Sequence, residues 1–146
     1  MKGEPVVILL VEDDAAHAEI VRRNFEEFLV ANRLIHVSDG EAALNYLYRR
    51  GEFADPEVSP RPSLVLLDLR LPKVEGLEIL ATVKADPQLA RIPVVVLTTS
   101  SAESDMVRAY DHHANSYLVK PVELPAFVEL MKTLGYYWLA WNEFPY

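Results

Sequence analysis

The chain has 146 residues, of which 51% are apolar and 25% charged, with a net charge of −8 and no cysteine. That length suits one domain with a full hydrophobic core. The acidity excludes nucleic acid and anionic membrane as primary partners, and the lack of cysteine excludes disulfides, thiolate metal sites and a cysteine nucleophile.

The elements alternate in type along the chain. Val6–Val11 is a short, β-branched apolar run, which predicts a strand buried on both faces. Asp14 is placed to cap a helix reaching about Val30, with Ala18, Ile20, Val21, Phe25, Phe28 and Leu29 as its apolar stripe. Leu34–Val37 is a second strand, Ser38-Asp39-Gly40 a turn and Glu41–Arg50 a helix. Gly51–Ser63, with Pro56, Pro60 and Pro62, reads as a loop. Leu64–Leu67 is the third strand, and Glu75–Ala85 a helix stopped at Asp86-Pro87. Val94–Leu97, the helix Ser101–His113, the strand Ser116–Val119 and the helix Glu123–Leu134 complete the series. Such alternation predicts an α/β fold, a five-stranded parallel sheet with helices on both faces. No signal peptide or membrane-length apolar run is present, so a cytoplasmic protein is expected.

Charged residues sit where buried strands stop. Glu12-Asp13-Asp14 follows the first strand, Asp68 the third and Lys120-Pro121 the fifth. Strand carboxyl ends line the ligand-binding edge of an open parallel sheet, so one acidic site holding one lysine is expected. Glu12, Asp13 and Asp68 repel one another unless they share protons or bind a cation, and their hard oxygens suit Mg²⁺. Thr98, first after the fourth strand, is expected to aim its hydroxyl at the site, while one or two of Thr98, Thr99, Ser100 and Ser101 cap the next helix. A cis Lys120-Pro121 bond would aim the ammonium inward. Neither Thr98 nor Lys120 is expected to be a core-packing residue. His17, His36, His112 and His113 are expected to lie away from the site.

Four motifs together, Val11-Glu12-Asp13-Asp14, Leu67-Asp68-Leu69-Arg70-Leu71-Pro72, Leu97-Thr98-Thr99 and Tyr117-Leu118-Val119-Lys120-Pro121, resemble a response-regulator receiver domain in order and spacing. The resemblance implies the flavodoxin-like fold and a two-component function: a phosphoryl group passes from a histidine kinase to Asp68 and switches protein contacts. It implies Mg²⁺ held by Glu12, Asp13, Asp68 and the backbone carbonyl of Arg70. Lys120 would contact the phosphoryl group, Thr98 would be the switch hydroxyl and Tyr117 the aromatic switch. Arg70 and Ser100 occupy positions that vary in this family and influence dephosphorylation. The Pro-rich loop and the aromatic tail narrow the likeness to small stand-alone regulators of bacterial phytochrome histidine kinases.

Two other functions compete with that one. A Mg²⁺-dependent aspartyl-phosphate phosphohydrolase similar to haloacid dehalogenases would need an acid two residues after its nucleophile, where this chain has Arg70. A receiver-like adaptor that is never phosphorylated would not need the full set of acceptor, metal, threonine and lysine residues. The expected protein is therefore a signalling phosphoprotein, not an enzyme acting on a separate substrate.

Residues 1–134 would form the receiver and residues 135–146 an aromatic extension of the same domain. That extension holds both tryptophans and three of the seven tyrosines. Tyr136, Tyr137, Trp138, Leu139, Trp141 and Phe144 are too apolar to stay exposed: either the tail folds back over its own domain or, the favoured reading, a two-fold homodimer forms through the tail and the face from the fourth to the fifth helix.

Overall fold

The computed structural model describes residues 5–28 and 30–144; Leu29 of the expected first-helix stripe lies outside them. Five strands, β1 (Val6–Val11), β2 (Asn32–Val37), β3 (Leu64–Leu67), β4 (Val94–Thr98) and β5 (Ser116–Val119), form one parallel sheet in the order β2-β1-β3-β4-β5. The helices are α1 (Ala15–Glu26), α2 (Gly40–Leu47), α3 (Gly76–Ala85), α4 (Glu103–Asp111) and α5 (Leu124–Gly135).

The inner strands β1, β3 and β4 read as nearly unbroken apolar runs because they bury both faces, whereas the edge strands β2 and β5 are only partly covered. Leu9, Val11, Val65, Leu67, Val94 and Val96 pack with Ala43, Leu77, Leu80 and Ala109, on the α2–α3–α4 side. Ile8, Leu10, Leu64, Leu66, Val95 and Leu97 pack with Val21, Phe25, Phe127 and Met131, on the α1–α5 side. The expected α/β architecture is thus the observed one.

Helix ends depart from expectation for local reasons. Asp14 caps α1 as expected, its Oδ1 accepting from the amides of Ala16 and His17 at 2.9 and 3.1 Å. α1 stops four residues short of Val30, where the Asn32 side-chain Nδ2 donates to the carbonyls of Phe25 and Val30 and ties the helix end to β2. α4 begins at Glu103, because neither Ser100 nor Ser101 caps it; Ala102 stands at the cap without a side-chain bond. The Pro-rich segment contains a short 3-10 turn, Gly51–Phe53. It is pinned where the Tyr46 hydroxyl donates to the Pro60 carbonyl at 2.7 Å and Ser59 Oγ to that of Phe53 at 2.8 Å.

α5 runs on into a π-helical turn, Tyr136–Trp141. Gly135 at the junction permits this course, since a Cβ there would lie 2.2 Å from the Phe28 ring. Trp138 and Leu139 are buried in the α1–α5 side of the core, and Trp138 stacks on Phe144. These residues are therefore covered by their own domain, which corrects their expected place in a dimer face. Tyr136, Tyr137 and Trp141 remain exposed, Trp141 by 80%. Among the described residues no helix is long and apolar enough to cross a membrane.

Candidate functional site

Strand register assembles the acidic site. Val11 of β1 pairs with Leu67 of β3, so the residues that follow, Glu12 and Asp68, emerge side by side. The Asp68 amide donates to the Val11 carbonyl at 3.0 Å. Thr98 pairs with Val119 across β4 and β5, and the Lys120 amide donates to the Thr98 carbonyl at 2.7 Å. Gly76 lets α3 start directly against this edge: a Cβ there would meet the Asp68 carbonyl at 2.3 Å.

The lysine joins the two strand ends. Lys120 Nζ donates to Asp68 Oδ2 at 2.9 Å and also to Glu12 Oε1. The described peptide bonds are all trans, so the ammonium reaches the site without a cis proline bond. Lys120 is 5% exposed and Thr98 fully buried, against the expectation that neither belongs to the packed interior. Thr98 is the last residue of β4, not the first after it, and Lys120 directly follows β5, so the sheet edge covers both.

Carboxylate oxygens of Glu12, Asp13 and Asp68 lie within 4.8 Å of one another. Burial, with a hydrogen bond to Asp68, pushes the Glu12 carboxyl up to about 8, Lys120 opposing. For Asp68, burial pushes upward, but hydrogen bonds with Glu12 and Lys120 outweigh it and hold the group below its ordinary value. Asp68 is thus the carboxylate and Glu12 the proton carrier. Glu12 Oε2 is buried without a hydrogen-bond partner, a costly state that a cation would relieve. Two buried carboxyls, one of them with an unpaired oxygen, and the exposed carboxylate of Asp13 make a donor set that fits a hard divalent ion.

Two histidines expected elsewhere are found here. His17 Nδ1 lies 3.1 Å from Lys120 Nζ and 3.2 Å from Glu12 Oε1, and its ring packs on Phe127. The ammonium only donates, so Nδ1 accepts from it. His36 Nε2 donates to the Glu12 carbonyl at 2.7 Å. The sequence did carry a signal for His17: a residue three after an N-cap aspartate projects back toward the strand end. His36 carried none, since its place depends on the β1–β2 register. His112 and His113 close α4, His113 with a left-handed φ of 67°.

A second polar cluster adjoins the first. The Arg70 amide donates to Asp68 Oδ1 at 3.3 Å, while its guanidinium Nη2 reaches Asp105 Oδ2 at 2.6 Å. Ser100 Oγ donates to the same Asp105 oxygen at 2.6 Å, and the Tyr117 hydroxyl donates to the Ser100 carbonyl at 2.9 Å. Asp105 is buried, a feature no pattern on α4 announced.

Chemically, the site offers a desolvated carboxylate beside an ammonium and a cation-ready acid pair. That is the equipment for accepting and holding a transferable anion.

Comparison with known proteins agrees. The family described as "Response regulator receiver domain" matches residues 8–132. Probable methanogenesis regulatory protein FilR2 of Methanothrix harundinacea is 46% identical over 142 residues, 97% of this chain and 89% of that protein. Response regulator Rcp1 of Synechocystis sp. is 44% identical over 135 residues, 92% of this chain and 90% of that protein. The crystal structure of the Mn(2+)-bound form of Rcp1 matches with a TM-score of 0.93 at 43% identity, over 97% of this chain and 100% of that one. The phosphorylated cyanobacterial phytochrome response regulator RcpA matches with a TM-score of 0.93 at 39% identity, over 98% and 100% of the two chains.

Proposed function

This chain belongs to the response regulator receiver domain family, and from that premise we propose that Asp68 is its phosphoacceptor, with a sensor histidine kinase as donor. The observation that carries the assignment is the Lys120 ammonium, shared at the sheet edge between Asp68, which is held ionised, and Glu12.

In the transfer, an Asp68 carboxylate oxygen attacks the phosphorus of a kinase phosphohistidine. A P–O bond forms as the P–N bond breaks, and the electron pair returns to the imidazole, which takes up a proton. Lys120 is already within hydrogen-bond reach of Asp68 and supplies positive charge beside the phosphoryl oxygens. Thr98 follows the incoming charge with its hydroxyl, and Tyr117, bonded to the next loop through Ser100, is the group whose packing responds. Mg²⁺ held by Asp13, Asp68, the Arg70 carbonyl and Glu12, directly or through water, would neutralise charge on the transferring group. Glu12 gives up its proton to take that role. Phosphoryl transfer to and from Asp68 is self-catalysed, so the chain is a phosphorelay signalling protein and not an enzyme with a separate substrate.

The kinase we propose is a bacteriophytochrome-type sensor, since Rcp1 and RcpA are stand-alone receivers of this size and RcpA is described as a phytochrome response regulator. In that reading the chain works in the cytoplasm and binds no nucleic acid. Residues 1–134 are the receiver, and residues 135–146 present Tyr136, Tyr137 and Trp141 to a second copy, giving a homodimer. Acetyl phosphate with Mg²⁺ should add a phosphoryl mass to Asp68 and not to Asp68→Asn. Labelling of the variant at the wild-type rate would move the acceptor elsewhere. Phosphotransfer from a bacteriophytochrome kinase, faster than from an unrelated histidine kinase, tests the pairing.

A further inference from the structure

The Arg70–Asp105 contact is unequal at its two ends. The Arg70 side chain is 61% exposed, that of Asp105 only 7%. Arg70 is anchored beside the acceptor through its amide, while its guanidinium is held away from Asp68 by a residue of another element. Asp105 spends one oxygen, Oδ2, on both Arg70 and Ser100.

We propose that Arg70 is a phosphoryl-contact residue held in reserve by Asp105: when Asp68 is phosphorylated the guanidinium exchanges Asp105 for the phosphoryl oxygens. This rests on Asp68 being the acceptor. A phosphoryl group brings nearly two negative charges and three acceptor oxygens, and a guanidinium binds such a group through two parallel hydrogen bonds. Asp105 offers it one oxygen that is already shared. The exposed Arg70 side chain is unobstructed, and its own backbone touches the acceptor carboxylate, so the exchange needs only side-chain rotation.

The consequence falls on α4. Once Arg70 leaves, Asp105 is a buried carboxylate supported by Ser100 alone, which drives it toward water. Asp105 lies in the first turn of α4, whose cap residue Ala102 makes no side-chain bond, so that turn is the part free to follow. Ser100 moves with it and carries the carbonyl that holds the Tyr117 hydroxyl. Arg70 thereby links the acceptor to α4 and β5 through three named contacts.

Beryllofluoride in excess Mg²⁺, a mimic of the phosphoryl group, tests this in the full chain. Arg70→Met should weaken its binding about tenfold and Arg70→Lys less, because lysine keeps the charge without the planar fork. Asp105→Asn should tighten binding severalfold by releasing Arg70, and should have no effect once Arg70 is methionine. Amides in the first turn of α4 should exchange faster when beryllofluoride binds the wild type. An Asp105→Asn effect that is the same with or without Arg70, a weakened Asp105→Asn, or unchanged exchange in α4 would overturn the proposal. A wild type that neither binds beryllofluoride nor takes a phosphoryl group from acetyl phosphate would overturn the acceptor assignment as well.

Discussion

Lys120 Nζ lies 2.9 Å from Asp68 Oδ2, and both side chains are almost wholly buried, at 3% and 8% exposure. A surface ion pair would contribute little. This one is desolvated, and a second carboxyl, Glu12, shares the same ammonium.

Removing the ammonium should therefore affect both stability and chemistry. Lys120→Ala is expected to cost about 2–3 kcal/mol, less than a typical broken buried pair because Glu12 can stay protonated. It should also slow acetyl-phosphate labelling of Asp68 by about a hundredfold. Urea titration and intact mass read the two effects. A variant of full stability and full labelling would show that the ammonium does not act on Asp68.

Metal binding should depend on pH. Burial keeps Glu12 protonated up to about 8, so Mg²⁺ must displace that proton at neutral pH. Affinity should rise by up to about tenfold per unit from pH 6 to 8, then level off. Glu12→Gln should flatten the profile, and Asp13→Asn should weaken binding at every pH. Calorimetry showing wild-type affinity constant over this range would contradict the role given to Glu12.

The alkaline limb of stability should carry a mark of Tyr46. Burial raises its phenol to about 12, whereas an unfolded tyrosine titrates near 10. Between those values the folded state binds more protons than the unfolded one, so stability falls as pH rises. The contribution is intact below about pH 10 and lost through pH 12, about 2–3 kcal/mol in all. Tyr46→Phe should remove that part of the decline while leaving the Pro60 carbonyl without its donor, at about 1 kcal/mol. Denaturant midpoints at pH 8 and 11 compare the two; parallel declines would contradict the assignment.

In the tail, covered and exposed aromatics should separate by function. Trp138→Ala is expected to cost about 3–5 kcal/mol of fold stability. Trp141→Ser and Tyr137→Ser should leave stability nearly unchanged and dissociate the dimer. Equilibrium sedimentation showing the intact chain monomeric at high micromolar concentration, with and without beryllofluoride, would rule the dimer out.

Residues at strand ends were legible in the sequence because two local signals coincide there: an unbroken apolar run ends and a charge begins. Asp68, Glu12 and Lys120 all carry that signature, and the parallel sheet brings them together. Asp14 was legible as a cap for the same local reason. His36 and Asp105 were not, because each depends on a neighbouring element: β1 beside β2 for His36, and Arg70 reaching across to α4 for Asp105. The tail was half legible. Its apolar content demanded cover, but composition does not say which rings the parent domain takes and which it leaves out. At Gly135 the helix passes so close over Phe28 that an added Cβ would lie 2.2 Å from its ring.

Glu12 and Lys120 touch although 108 positions separate them. The first strand supplies one partner and the last strand the other, and β5 is an edge strand joined to the sheet only through β4. A growing chain that has emerged only as far as β4 already possesses Asp68, Glu12 and Asp13, yet it lacks the ammonium. On the proposed assignment of Asp68, full-rate phosphoryl transfer waits until the final strand has docked. The ion pair at the sheet edge is therefore among the last contacts that a growing chain can complete.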